Sequence, residues 1–263
     1  ATLDTKGPEA EFVQERLRDA GLDVALVDTG CLAEPQVEPE VGRETVFLAA
    51  GTTLAEMRDQ GDRAVAVGAA ARGVASLVAE AHAEGRVSGV MGLGGSAGTV
   101  IATSAMRVLP LGVPKLMIST LASGNTRPFV RCSDILMAHS VVDILGLNKI
   151  SKAVLSNAAA AMAGMVKTAP VGKEGDGRSQ VAATMFGVTT PCVERAKEVL
   201  EAAGSDVMVF HATGNGGESM ESLIREGAFA GVLDLTTTEL ADELVGGILS
   251  AGPTRLTAVH RNP

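Results

Sequence analysis

Apolar positions along the 263-residue chain alternate between short continuous runs and longer amphipathic stretches, which predicts βαβ units on parallel sheets. The clearest helix is 9–20, where Phe12, Val13, Leu17 and Ala20 form one stripe and Gly21 follows as a C-cap. Residues 1–3 read as the tail of a strand, 22–28 as a buried strand, and 30–52, with Pro35, Pro39 and Gly42, as loop. A long helix is expected over 62–84, ending at Gly85. A strand over 87–91 then feeds a run of glycines, a helix over 99–108 leaves it, and Lys115–Ser119 is the next strand. Apolar stretches at 134–137 and 141–144 precede a helix of small residues over 151–166.

The segment 168–179 combines three Gly, one Pro and four charges between apolar stretches, which marks a linker. It separates a first lobe, 1–167, from a second, 180–263. The order strand end, helix, capping glycine, strand at 2–27 recurs at 184–210, either as a duplication or as the common grammar of βαβ units. The expected fold class is α/β: two Rossmann-like lobes with mainly parallel sheets, and a ligand cleft between them or at the strand C-terminal ends.

Composition narrows the function. There is no Trp and no Tyr, only six Phe, and the net charge is −9, so neither a basic patch nor stacking platforms for nucleic acid are present in the sequence. Three widely spaced cysteines with no C-x-x-C fit reduced thiols. No uninterrupted apolar run reaches a bilayer-spanning length and no basic-then-apolar leader opens the chain, so a cytoplasmic location without membrane partners is expected. Residue 1 is Ala, and both ends read as those of a piece with unseen flanks.

The chemistry concentrates in loops after strands. The run 92–99, G-L-G-G-S-A-G-T, leads from strand into helix. Glycines let the backbone approach a phosphate, and the helix start presents free N–H groups and a positive dipole end. Gly94, Gly95, Ser96, Gly98 and Thr99 are the candidate contacts; the same glycines also suit a tight turn required by packing alone. The run lacks the Lys-Ser/Thr ending of a P-loop and the acidic residue of a dinucleotide fingerprint. A second strand–turn–helix, H-A-T-G-N-G-G-E at 211–218, repeats the device with His211, Thr213, Gly214, Gly216 and Gly217, and the helix is expected from Ser219 onward. Asp4, Thr5 and Lys6 form a third candidate, able to hold a ribose, a phosphate or a metal, or to act only as a cap and a solvated base. Thr120 and Ser123, after the Lys115–Ser119 strand, read as ligand-orienting donors. The run 233–239 reads as a strand leading into hydroxyls and an acidic helix start, with Thr238 as an N-cap assisted by Asp242. No His/Cys/Asp/Glu spacing matches a zinc site, and catalytic and metal-binding residues are left unassigned.

Five of these segments, T-L-D-T-K-G, G-L-G-G-S-A-G-T, S-T-L-A-S-G, H-A-T-G-N-G-G and D-L-T-T-T-E-L-A-D-E-L, in this order, resemble a family of bacterial, fungal and plant proteins. It is typified by a tomato mosaic virus resistance protein and is called the Tm-like ATP-binding domain family. The resemblance runs from residue 1 to about 253. It implies paired Rossmann-like lobes, a bound ATP (with magnesium as a companion) and self-association; it implies no reaction. Three functions compete: an ATP-binding protein, an enzyme on a phosphorylated or carboxylated metabolite with His211 or Asp4 as acid/base, and a regulatory module whose lobes close on a ligand.

Overall fold

The computed structural model describes residues 1–168 and 177–260, which fall into two compact units, Ala1–Pro170 and Val171–Pro263. Most of the expected linker, 169–176, lies outside the described residues.

The first unit opens with helix α1, Leu3–Asp19, six residues ahead of the start expected from its apolar stripe. The cause is remote: the Leu3 N–H donates to Oδ1 of the fully buried Asp28 at 3.0 Å. Lys6 breaks the helical path (φ −132°, ψ 23°) just before Gly7 and Pro8. The expected strand at 1–3 is therefore reduced to Ala1, whose carbonyl accepts from the Thr29 N–H at 2.9 Å. Nor does 22–28 form a strand; it is extended chain with one parallel bridge, Val27 to Val41. Glu40 fixes this ribbon to α1, accepting from the Leu26 N–H at 2.7 Å and from Arg18 at 2.6 Å.

Two short helices, α2 (Arg43–Ala49) and α3 (Leu54–Gln60), begin within or just beyond the region read as loop. The long helix α4, Arg63–Ala83, follows; Asp62 caps it by accepting from the Ala64 N–H at 2.7 Å. A Cβ at Gly73 of α4 would lie 1.9 Å from the Val46 carbonyl oxygen, so glycine is what lets α2 seat against α4. By length and composition α4 could cross a membrane, but Ala66, Ala69, Ala70 and Val74 are buried against α2 and the helix after β1.

The sheet of this unit contains β1 (Val90–Gly94), β2 (Lys115–Ser119) and β3 (Leu136–His139), all parallel in that order. Between them run α5 (Ser96–Arg107) and the single-turn α6 (Arg127–Val130). β1 starts three residues later than expected because its register is set from Val90 opposite Lys115. Segment 141–144 is a turn, not a strand: Val141 has φ 65° and the Ser140 hydroxyl donates to the Val142 carbonyl at 2.7 Å. Helix α7, Lys149–Lys167, is capped by Asn148. Leu3, Val13 and Leu17 of α1 and Leu155 and Met162 of α7 share one core with Leu93, Leu116 and Ile118 of the sheet. Phe47, Ala69, Ala70, Ile101 and Ala105 form a second core among α2, α4 and α5. Lys115 is fully buried, its ammonium donating to the carbonyls of Pro110 (2.7 Å) and Val113 (3.0 Å) and to Asp134 Oδ1 (2.5 Å).

The second unit contains β4 (Ser179–Met185), α8 (Thr190–Ala202), β5 (Ser205–His211), α9 (Asn215–Arg225), β6 (Gly231–Leu233) and α10 (Thr238–Val245). Its sheet is parallel in the order β5-β4-β6. β6 ends at Leu233, where the strand read from the sequence begins. Each unit is thus an α/β assembly around a three-stranded parallel sheet, in keeping with Rossmann-like lobes. The two members of the apparent repeat differ locally: Met185 lies inside β4, whereas its counterpart Leu3 already begins a helix.

Candidate functional site

The glycine loop is built by close packing. A Cβ at Gly92 would meet the Ala102 Cβ at 2.4 Å and the Met117 sulfur at 2.8 Å, and one at Gly94 would meet the Gly98 Cα at 2.9 Å. Gly92, Gly94 and Gly98 therefore draw α5 down onto the end of β1. Gly95 is different: its added Cβ would find only the Thr120 hydroxyl, at 3.7 Å.

Thr99 is fully buried, and its hydroxyl donates to the Gly95 carbonyl at 2.8 Å and pairs with the Ser119 hydroxyl at 2.7 Å. It fastens α5 to β2 and does not face solvent. The first helical bond of α5 is Thr99 N–H to the Gly95 carbonyl, 2.9 Å. The N–H groups of Ser96, Ala97 and Gly98 consequently have no acceptor among the described residues. Ser96 is exposed at this helix start, Thr120 is half-buried beside Gly95, and Ser123 lies exposed in the turn beyond.

Beside this helix start is a cavity of about 80 Å³, walled by Asp4 and Thr5 of α1, Thr29 and Cys31, Arg63 of α4, and Ala97 of α5. Two motifs more than ninety residues apart in sequence, at Asp4 and at Ala97, thus meet at one opening. Asp4 is 6% exposed and its Oδ2 accepts from the Leu32 N–H at 2.9 Å. Gly30 makes room for it, since a Cβ there would sit 2.6 Å from the Asp4 carboxyl carbon. Lys6 is not in this wall; its ammonium donates to the Ile144 carbonyl.

Thr29, Cys31 and Arg63 were not legible as site residues from local motifs. Arg63 carried a signal: it follows the N-cap Asp62, a position where the helix dipole favours an acid over a base. It has no hydrogen-bond or ion-pair partner among the described residues. Burial raises the Cys31 thiol above its ordinary value, and the Asp4 carboxylate raises it further against Arg58, Arg63 and Arg43.

In the second unit the corresponding loop is already filled. Oε1 of Glu239, a residue with no exposure, accepts from the Gly214 N–H at 2.6 Å and the Gly217 N–H at 3.0 Å. A Cβ at Gly216 would lie 1.8 Å from the His211 carbonyl oxygen, so the turn closes only through glycine. The helix begins at Asn215, four residues before the expected Ser219, and runs through both glycines. His211 is exposed at the end of β5, its ring 5.4 Å from that of Phe186, and the Thr213 hydroxyl is turned to the His211 carbonyl at 3.4 Å.

Behind Glu239 stands Arg255. Its guanidinium donates to Glu239 Oε2 at 2.8 Å, to both oxygens of Asp234 at 2.6 and 2.8 Å, and to Glu221 at 3.4 Å. Burial works against the charge of Arg255, but Asp234 and Glu239 more than reverse this and hold its proton above the ordinary range. Thr238 does not cap α10; its hydroxyl donates to the Ala212 carbonyl at 3.3 Å. Asp242 binds the Leu249 N–H at 2.7 Å instead. Among the described residues, no three His, Cys, Asp or Glu side chains converge to hold a metal.

Among the described residues, two parallel-sheet units, one with a glycine-loop helix start whose first N–H groups are unpaired and the other with the same device closed by a carboxylate, define an α/β class. Residues 1–170 match the N-terminal domain, and 178–263 the C-terminal domain, of the Uncharacterised protein family (UPF0261), and the chain belongs to that family. It is 48% identical over 257 residues to a UPF0261 protein of Clostridium tetani, covering 98% of this chain and 63% of that relative. A Mesorhizobium japonicum UPF0261 protein is 44% identical over 261 residues, with 99% of this chain and 64% of the relative covered. The ToMV resistance protein Tm-1 of Solanum lycopersicum is 39% identical over 279 residues, 98% of this chain and 37% of the tomato protein. The motif resemblance is therefore that of a family member, and the chain spans slightly less than two thirds of the bacterial relatives' length.

Proposed function

We propose that the chain binds a nucleotide, with ATP as the first choice, and that its phosphates lie on the start of α5. One observation carries the reading. Ser96, Ala97 and Gly98 offer unpaired N–H groups beside a cavity, whereas on α9 the N–H groups of the N-cap Gly214 and of Gly217, the counterpart of Gly98, hold a carboxylate from their own unit. The molecule thus demonstrates on α9 what this kind of helix start accepts, and leaves α5 open for an anion from outside. Thr120, above Gly95, is positioned to donate to the same group. The cavity offers a single carboxylate, Asp4, to magnesium accompanying a triphosphate. With the Gly214 and Gly217 donors engaged internally, the reading rests on the first unit.

Calorimetric titration of the chain with ATP tests it, together with Gly95→Val. Gly95 has open space and ordinary φ (−82°), so the variant folds while its side chain narrows the loop. Binding by the wild type and its loss in Gly95→Val is the expected result; equal affinity in both removes the reading. Cytoplasmic location and self-association belong to the same proposal, the first supported by three free cysteines. Light scattering on the purified chain checks the second.

A further inference from the structure

The far end of α5 gathers positive charge that the fold does not balance. Arg107 stands in its last turn, about 16 Å along the helix from Ser96 and toward the edge of the sheet where β2 begins. Its half-buried guanidinium is held by neutral groups alone. Nη1 donates to the Phe129 carbonyl at 2.8 Å and to the Thr103 hydroxyl at 3.2 Å, and Nη2 donates to the Ser104 hydroxyl at 2.9 Å. The Nε–H and one Nη2 hydrogen are left without an acceptor among the described residues. Arg131, two residues beyond Phe129, brings a second guanidinium to the same place; it is exposed and has no side-chain partner among the described residues. Burial pushes the Arg107 guanidinium below its ordinary range, and the charge of Arg131 pushes it further, with Cys132 opposing.

Nothing nearby answers these charges. Asp134, the acid nearest to Arg131 along the chain, has both oxygens engaged, Oδ1 by Lys115 at 2.5 Å and Oδ2 by the Gly112 N–H at 2.8 Å. The negative end of α5, worth about half an elementary charge, is more than offset by Arg107 alone. Arg131 also holds a strained backbone, φ 45° and ψ −121°, which glycine would adopt freely. The chain thus sets an arginine where glycine fits better, beside another arginine, in a protein of net charge −9. An oxyanion between the two would remove their repulsion and take up the spare N–H groups of a fork already fixed by three bonds. Two positive charges match the double charge of a phosphoryl group better than the single charge of a carboxylate. We propose that Arg107 and Arg131 form a surface anion site that takes the phosphoryl group of a small solute. It is separate from the start of α5 and does not depend on the nucleotide reading.

The test is an NMR titration of the whole chain with inorganic phosphate, glycerol 3-phosphate and acetate, at constant ionic strength and about pH 7.5, where a phosphate monoester is doubly charged. Saturable shifts at the Arg107 Nε–H and the Arg131–Ser133 amides are expected with phosphate. Half-saturation should fall in the millimolar range, because the site is open to solvent, and acetate should bind about tenfold more weakly. Whichever of the free ion and the ester saturates first identifies the form of phosphate the site takes. Arg131→Gly, which relieves the backbone, is expected to weaken phosphate by about tenfold or more while melting no lower than wild type. Arg131→Lys, which keeps the charge, should retain most of the binding. Shifts confined to Ser96–Gly98 overturn the site and speak only for the start of α5. Acetate as tight as phosphate overturns the phosphoryl assignment. Arg131→Gly binding as well as wild type, or Arg131→Lys binding as poorly as Arg131→Gly, removes Arg131 and its charge from the site and overturns the proposal.

Discussion

Glu239 and Gly217 occupy a space that admits no third atom: a Cβ on Gly217 would lie 2.0 Å from Glu239 Oε2. The carboxylate sits against the first turn of α9 and is held from behind by Arg255. Replacing Glu239 by Ala strips the acceptor from two backbone N–H groups and leaves Arg255 with fewer counter-charges. Loss of about 3–5 kcal/mol is expected, read as an earlier urea transition, with Glu239→Gln milder because it keeps an oxygen.

A second prediction separates packing glycines from the open one. Gly92→Ala places a methyl group against Ala102 and the Met117 sulfur, and should destabilise the chain by about 1–3 kcal/mol. Gly95→Ala, with nothing nearer than 3.7 Å, should leave the melting temperature nearly unchanged. Differential scanning calorimetry of the two variants checks the contrast.

Lys115 yields a third. Its buried ammonium has three oxygen partners, and Lys115→Ala would leave the carbonyls of Pro110 and Val113 and one oxygen of Asp134 without it. About 3 kcal/mol of lost stability is expected, and Lys115→Met, which keeps the volume, should recover much of it. Denaturant midpoints of the two variants decide this.

The Cys31 thiol gives a pH prediction. Burial and Asp4 favour its neutral form in the folded chain. The unfolded chain then ionises first, so stability from this group is intact below the ordinary thiol value of 9.0 and declines as the pH rises past it. Alkylation by iodoacetamide near pH 8 should be slower at Cys31 than at the exposed Cys192, as peptide mass analysis would show. A ligand in the adjoining cavity should slow it further.

Much of this was legible in the sequence because the signals were local. The 62–84 period, the Lys115–Ser119 run and the family motifs needed only neighbours a few residues away. The misses share a different cause. Helix α1 starts at Leu3 because Asp28, twenty-five residues on, accepts its N–H. Helix α9 runs through Gly216 and Gly217, poor helix formers, because Glu239 binds its first turn from a distant segment. The 22–28 stretch is extended as its composition suggests, but a single bridge to Val41 is all the ladder it makes among the described residues. Asp4 was readable as polar chemistry at a strand end; its neighbours Thr29 and Arg63 come together with it only in three dimensions.

The carboxylate locked onto α9 has a consequence for how the chain responds to its surroundings. A site filled by a covalently attached group is saturated at every concentration, so the second unit gains nothing when solute is added. The first unit, if its helix start takes a ligand, gains RT ln(1 + [L]/Kd), about 2.7 kcal/mol at a hundredfold excess over Kd. Titration should therefore saturate at one equivalent per chain, and hydrogen exchange should slow around Ser96–Arg107 while Asn215–Arg225 is indifferent. One half of the molecule would sense metabolite supply, and the other would serve as its constant internal reference.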